Sequence, residues 1–364
     1  MFYLLSLLTG ILECGWIFNG ISHFMPLWQC LCYPLAYHLG NLFPKPFALK
    51  KKYLFAMGAV SLFITAFLFI FRSISSSYIP QDIEFILTCA RLFFISTVIQ
   101  SVRSDMKQEG KRLLKRVFRV GGFLLAVLAV WIPEILLFAA NIAAIASLPK
   151  YTKKPHITRL KNQGGYSAVM LFHQLHYFFY AHITLAAVSL AVSREPSPFG
   201  FLDYAFERNP QICGIAIGAL LFCGTWITYM SVEPLVSRLT KNITPVFYIG
   251  HSVICLLLLV ISQFTAGAVF ILLWLLTGFG GGTVYTISER ARAKGKYDKS
   301  SMTVSENLGH TFGLLSAVVI AAFLGNAAPP VMLICGSASA FLAILCMTLT
   351  IRKEKQHESI ENNG

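Results

Sequence analysis

Lysine and arginine alternate from loop to loop along this chain. Every second interval between apolar stretches is basic, and the intervals between those are nearly bare of positive charge. The apolar stretches lie at about 2–20, 22–42, 53–73, 83–102, 113–131, 132–149, 166–192, 210–232, 243–264, 266–288, 303–325 and 328–351. Most approach the roughly 20 residues that an α-helix needs to cross about 30 Å of hydrocarbon. Lys45, Lys50, Lys51 and Lys52 follow the second stretch, and Arg103, Lys107, Lys111, Arg112, Lys115 and Arg116 follow the fourth. Lys150, Lys153, Lys154, Arg159 and Lys161 follow the sixth, and Arg290, Arg292, Lys294, Lys296 and Lys299 follow the tenth. Arg238 and Lys241 follow the eighth, and the odd-numbered intervals hold little beyond Arg72, Arg194 and Arg208. Because positively charged loops stay on the cytoplasmic side, both termini are expected there, with an even number of crossings in a plasma membrane or bacterial inner membrane.

An all-α, polytopic membrane protein of twelve transmembrane helices follows. Hydrophobic residues make up 56% of the 364 and charged residues 13%, about half the charged share of a soluble domain. The formal charge of +14 does not point to nucleic acid, because the basic residues sit in short loops beside apolar spans, where orientation and anionic lipid head groups account for them. The cysteines fall almost wholly inside apolar segments, in no spacing that suggests a metal knuckle or a disulfide framework. No cofactor motif is present. The first segment carries Glu13 and lacks a small-residue cleavage site, so it reads as a retained span. Residues 117–149 must supply two short helices separated only by Trp131, Ile132 and Pro133, with Lys115, Arg116 and Arg119 snorkelling toward the head groups. Pro133, Pro234 and Pro245 read as span boundaries, and the polar tail HESIENNG reads as disordered.

The two halves share a plan. Residues 1–149 and 166–351 each supply six spans, joined by a basic linker at 150–165 and followed by a tail at 352–364. Each half carries a charged loop after its second span and a basic, glycine-containing loop after its fourth: SDMKQEGKRLLKR in one, ERARAKGKYDK in the other. Gly40-Asn41-Leu42 followed by Lys50-Lys51-Lys52, and Arg91 within the fourth span, resemble the loop and span-four patterns of the major facilitator superfamily. Phe43-Pro44 stands where that pattern carries an aspartate, and the fifth span has Gly121-Gly122 rather than a Gly-Pro motif. The resemblance implies an MFS-like pair of six-helix bundles working by alternating access, commonly driven by a proton gradient.

Charges within the bilayer cost at least about 2.5–3.5 kcal/mol and so mark candidate pathways. Glu13 and Arg91 lie at matching depth and are expected to form an ion pair lining a central cavity; a static lock between two helices is the alternative. In the seventh span His173, His176, Tyr177, Tyr180 and Thr184 share one helical face, which suits binding of a polar aromatic or anionic solute and exchange of a coupling proton. Interhelical packing is the alternative there. The two histidines on that face, with His182 nearly opposite, are too few to hold zinc, and no second histidine cluster supports a membrane metalloenzyme. The run TGFGGGT lacks the strand-turn-helix context of a nucleotide site, so Gly281 and Gly282 read as packing or hinge positions in span ten. Glu306 and His310, four residues apart, can meet on one face as a proton relay or as a latch between the halves.

The functional expectation is a secondary transporter, not an enzyme, moving a small organic solute with a proton as coupling ion, and in the export direction by family resemblance. A proton-coupled uptake carrier, a uniporter and a non-transporting sensor built on the same fold are the alternatives.

Overall fold

The computed structural model describes residues 1–44, 47–74, 80–106, 112–152, 156–157, 159–175, 209–239, 242–263 and 268–361. The first six helices are α1 (Phe2–Ser22), α2 (Leu27–Leu42), α3 (Lys51–Ile74), α4 (Gln81–Asp105), α5 (Arg112–Leu125) and α6 (Pro133–Ser147). The next six are α7 (Tyr166–Leu175), α8 (Pro210–Leu239), α9 (Ile243–Ile261), α10 (Ala268–Gly281, continued by a single 3-10 turn, Gly282–Val284, and Tyr285–Ala293), α11 (Lys299–Leu324) and α12 (Ala328–Glu361). Eight of these are long and apolar enough to cross a membrane by length and composition alone. With no water in hydrocarbon to satisfy peptide groups, a helix, which closes all its backbone hydrogen bonds within one segment, is a structure such an apolar span can adopt. The outward faces carry side chains suited to acyl chains, Phe63, Ile249 and Phe323 among them. A two-residue antiparallel pair, Phe47–Ala48 with His156–Ile157, ties the loop after α2 to the central linker.

Two six-helix bundles result. In the first, α1 packs on α2 and α5, α2 on α4, and α3 on α4 and α6; in the second, α7 packs on α11 and α12, and α10 on α8 and α9. The bundles meet along α2 with α11 and along α5 with α8. Apolar surface gains nothing by leaving lipid, so packing must come from close van der Waals approach. The α1–α5 crossing shows it: a Cβ on Gly10 would lie 2.2 Å from the Arg119 carbonyl oxygen, and one on Gly122 would lie 2.1 Å from that of Leu7.

One apolar cluster belongs to both bundles. Ile21 and Leu31 of the α1–α2 hairpin pack with Ala317 and Ala321 of α11, Met332 of α12, and Ile215 and Phe222 of α8. Ile21, Leu31, Ile215 and Ala321 lie toward the helix ends remote from the basic loops. The bundles are therefore closed together at that end.

The short pair at 117–149 is resolved as two helices. α5 tightens into a 3-10 turn over Ala126–Val130, the chain breaks at Trp131 and Ile132, and Pro133 opens α6 at a position where its missing N–H costs nothing. Pro245 likewise falls in the first turn of α9, after Asn242, whose side chain accepts from the Thr244 N–H. Three expectations are corrected. Pro234 lies inside α8, which continues to Leu239. The tail is not disordered through its length, because α12 extends to Glu361, where buried Glu354 accepts from Tyr166 Oη at 2.8 Å and from Arg290 at 3.1 Å. These bonds compensate a carboxylate that would otherwise be costly to bury. Arg119 does not snorkel outward, as its surroundings show.

Candidate functional site

Between the bundles, on the basic-loop side of the closed cluster, lies a chamber of about 110 Å³. It opens into a vestibule of about 410 Å³ whose walls include Lys115, Arg116 and Arg292. Arg119, Gln174, Trp226, Tyr229 and Glu306 line both spaces, so they form the passage from one to the other. The floor of the chamber is apolar, with Ile254, Leu258, Met332 and Leu333. The molecule thus has a polar, aromatic-walled cavity reached from the end that carries the basic loops.

Glu13 stands behind that passage. Its side chain has no exposed surface, and Arg119 of α5 donates to its Oε2 through Nη2 at 2.6 Å and Nε at 3.2 Å. The Arg119 side chain keeps 28% of its surface exposed and carries its guanidinium over the Trp226 ring, 4.7 Å from the centroid. His38 of α2 approaches the other carboxylate oxygen, with Nε2 at 3.6 Å from Oε1. Two side chains from separate helices therefore converge on one buried carboxylate. The His38 ring in turn meets the His310 ring edge-on across the bundle boundary, centroids 5.3 Å apart.

The expected Glu13–Arg91 pair does not form. Arg91 is fully buried in the first bundle, where Nη1 and Nη2 bond both carboxylate oxygens of Glu134, in the first turn of α6, and Nη2 reaches Thr88 at 3.2 Å. Arg72 donates to the same Glu134 at 3.1 Å and pairs with Glu84. Matching depth allowed the first pairing. Helix packing decided against it, because α4 presents Arg91 to α3 and α6 while α1 presents Glu13 to α2 and α5.

In the second bundle the hydrogen bonds fix a chain of donors. His251 Nδ1 lies 2.9 Å from the Phe247 carbonyl oxygen, which can only accept, so that nitrogen carries the proton. In the neutral ring Nε2 is then the acceptor, and His173 Nδ1, 2.7 Å away, donates to it. This leaves the Nε2 of His173 as the basic nitrogen of a residue that lines the chamber. His310 Nε2 donates to Gln174 Oε1 at 2.8 Å, joining α11 to α7. Glu306 and His310 both line the chamber. The two glycines divide: Gly281 lines the chamber with room beside it, its nearest neighbour for a Cβ being the Tyr229 ring at 3.7 Å, whereas Gly282 is packed against Val232 at 2.6 Å and begins the 3-10 turn. His176, Tyr177, Tyr180, His182 and Thr184 lie outside the described residues. Among the described residues no three His, Cys, Asp or Glu side chains gather as a metal site.

His38, Arg119, Trp226 and His251 are the site residues that reading the sequence missed. His38 could have been found, since α1 and α2 form a hairpin and His38 sits about as far from its turn as Glu13 does. Arg119 was masked by its basic neighbours, and nothing in the sequence pairs His251 with His173.

No protein-family model matches the sequence, and no curated protein matches it. Solved structures do. A structure described as a bacterial metal transporter superposes with a TM-score of 0.59 at 13% identity, over 96% of this chain and 97% of that one. The nucleoside transporter NupG superposes with a TM-score of 0.58 at 12% identity, over 95% of this chain and 97% of that one. The chain has the major facilitator fold. At such identities the likeness concerns the path of the backbone and not its chemistry. Within the major facilitator fold the Glu13 group and the His173 group lie in opposite bundles, flanking the cavity between them.

Proposed function

We propose that this protein is a secondary transporter that moves a small organic solute and couples its passage to a proton. The observation that carries the reading is the buried Glu13, held by Arg119 and His38 beside a cavity that both bundles line. A carboxylate without exposed surface is costly in a membrane and is retained where ions or substrate pass. Its contacts involve three helices of one bundle, and His38 touches His310 of the other, so the charge on Glu13 is felt where the bundles must move. The resemblance to solved transporters supports the architecture that rocking requires. By the positive-inside rule the vestibule faces the cytoplasm, which makes the observed arrangement the inward-open one.

The test is solute-induced proton movement in sealed proteoliposomes, with a chemically broad panel of solutes. Proton flux that one solute class elicits, and that Glu13→Gln abolishes while the variant still binds that solute, supports the reading. Solute flux indifferent to an imposed pH gradient would establish a uniporter instead, and a folded protein that moves nothing would establish a non-transporting relative. Protons leaving as solute enters would show the exchange that resemblance to exporters suggests; protons entering with the solute would show co-transport.

A further inference from the structure

We propose that the solute is an organic anion with one aromatic ring, whose carboxylate docks on Arg119, and that it binds together with the proton and not in exchange for it. The inference rests on the reading of the cavity as a proton-coupled transport site, and three observations lead to it. First, the vestibule places Lys115, Arg116, Arg119 and Arg292 against Glu289 and Glu306, and with Glu13 behind Arg119 the balance is four cations to three carboxylates. A cleft biased in this way gathers anions and repels cations. Second, the passage between vestibule and chamber includes an arginine, Arg119, whose planar fork suits a carboxylate better than any other side chain. Its guanidinium rests on Trp226, and Tyr229 and Trp274 continue the aromatic wall. The chamber beyond, about 110 Å³, is of the order of the roughly 150 Å³ apolar cavity that admits a single benzene.

Third, Arg119 has an inner and an outer side. Glu13 occupies the inner side, fully buried, and the exposed part of Arg119 faces the cavity. While Glu13 is ionised it neutralises the guanidinium and repels a second carboxylate. A proton on Glu13 removes both effects, so the anion binds more tightly. By linkage the anion then raises the proton affinity of the site by the same factor. The charged and titratable groups around Glu13 are Arg119 from α5, His38 and Tyr37 from α2, with His310 behind His38, Cys14 beside Glu13 on α1, and Arg103 from α4, which donates to Thr9 at 3.3 Å; Glu306 of α11 shares the passage with Arg119, and its charge opposes the anion. Proton and anion therefore load the same conformation, which is the condition for co-transport.

Benzoate is a suitable probe, with cyclohexanecarboxylate testing the ring and benzylamine testing the charge. Binding to the purified full-length protein in detergent is measured at about pH 7.5 and about pH 6, where both free probe acids stay ionised in solution, so that any change with pH belongs to the protein. Benzoate is expected to bind better than either analogue and to tighten about tenfold at the lower pH, a modest coupling between two sites. Glu13→Gln is expected to show the tighter affinity at both pH values, and Trp226→Leu to lose the preference for benzoate over cyclohexanecarboxylate. A measurement on the unaltered protein covers the chance that a variant does not fold: adding benzoate in weak buffer should draw protons from solution. Proton release, or preference for benzylamine, would overturn the proposal. Benzoate binding with proton uptake but no flux in proteoliposomes would defeat the transport reading alone. Proton-coupled flux of an uncharged solute without benzoate binding would defeat only the assignment of substrate.

Discussion

Arg91 and Glu13 had equal claims as intramembrane charges, and the structure gives them different work. Arg91, Glu134, Arg72 and Glu84 form a balanced network joining α3, α4 and α6, away from the residues that line the cavity. Removing one member leaves a buried charge without its counter-charge, which costs about 3–5 kcal/mol. Arg91→Ala is therefore expected to lower the thermal midpoint in detergent sharply and to reduce the folded yield. Adding Glu134→Gln should recover much of the loss, because the orphaned charge is then gone. If Arg91→Ala were as stable as the parent yet inactive, Arg91 would belong to the pathway after all. The depth of each charge was legible in the sequence, since hydropathy fixes position along the span. The partner was not, because it depends on which faces of the helices meet, and that is settled by packing among residues far apart in the chain.

The helices themselves were largely legible, because hydrocarbon imposes length and apolarity on each segment independently of its neighbours. What escaped was the behaviour of the ends. α8 runs through Pro234 and α12 runs past the membrane, where Glu354 and Glu358 are tied to Arg290 and Lys294. The start of α11 shows how such an end is held. Asp298 accepts from the backbone N–H of Ser301 at 2.9 Å and from its hydroxyl at 2.7 Å, and these bonds hold its carboxyl below the ordinary carboxylate value. A group depressed in the folded state stabilises above its unfolded pKa, and that contribution fades as pH falls through the folded one. Asp298→Ala is thus expected to cost about 0.5–2 kcal/mol near neutral pH, a penalty that shrinks toward zero in strong acid; a deficit constant with pH would assign it to packing. The glycines divide by the same close-range logic. Gly122→Ala, which drives a methyl group into the Leu7 carbonyl, is expected to destabilise by about 1–3 kcal/mol. Gly281→Ala has space and should fold normally while narrowing the chamber, so that affinity for a bulky solute falls without loss of yield.

At the scale of the whole molecule, the charge alternation and the two-bundle plan were readable from the chain, whereas the conformational state was not. Either bundle tilt satisfies the same loops and the same apolar spans, and only the contacts between bundles distinguish them. Here the apolar cluster of Ile21, Leu31, Ala317 and Ala321 closes one end, while Lys115, Arg116 and Arg292 surround an open vestibule at the other. Alternating access requires that this cluster separate and the vestibule close in the opposite state. Thiol labelling can follow both events, provided the half-buried native cysteines are first replaced and the buried Cys14, Cys30 and Cys223 are shown not to react. Ser288→Cys, on the vestibule wall, is expected to react with a membrane-impermeant maleimide only from the side bearing the basic loops, which fixes orientation in the same experiment. Ala321→Cys, within the seal, is expected to resist labelling from either side at rest and to become reactive from the far side when a transported solute and a proton gradient are supplied. The two sites should then change in opposite senses: Ser288→Cys slows as Ala321→Cys quickens. Parallel changes would mean that the cluster is a fixed part of a rigid protein, and the carboxylate behind Arg119 would have no second state in which to give up its proton.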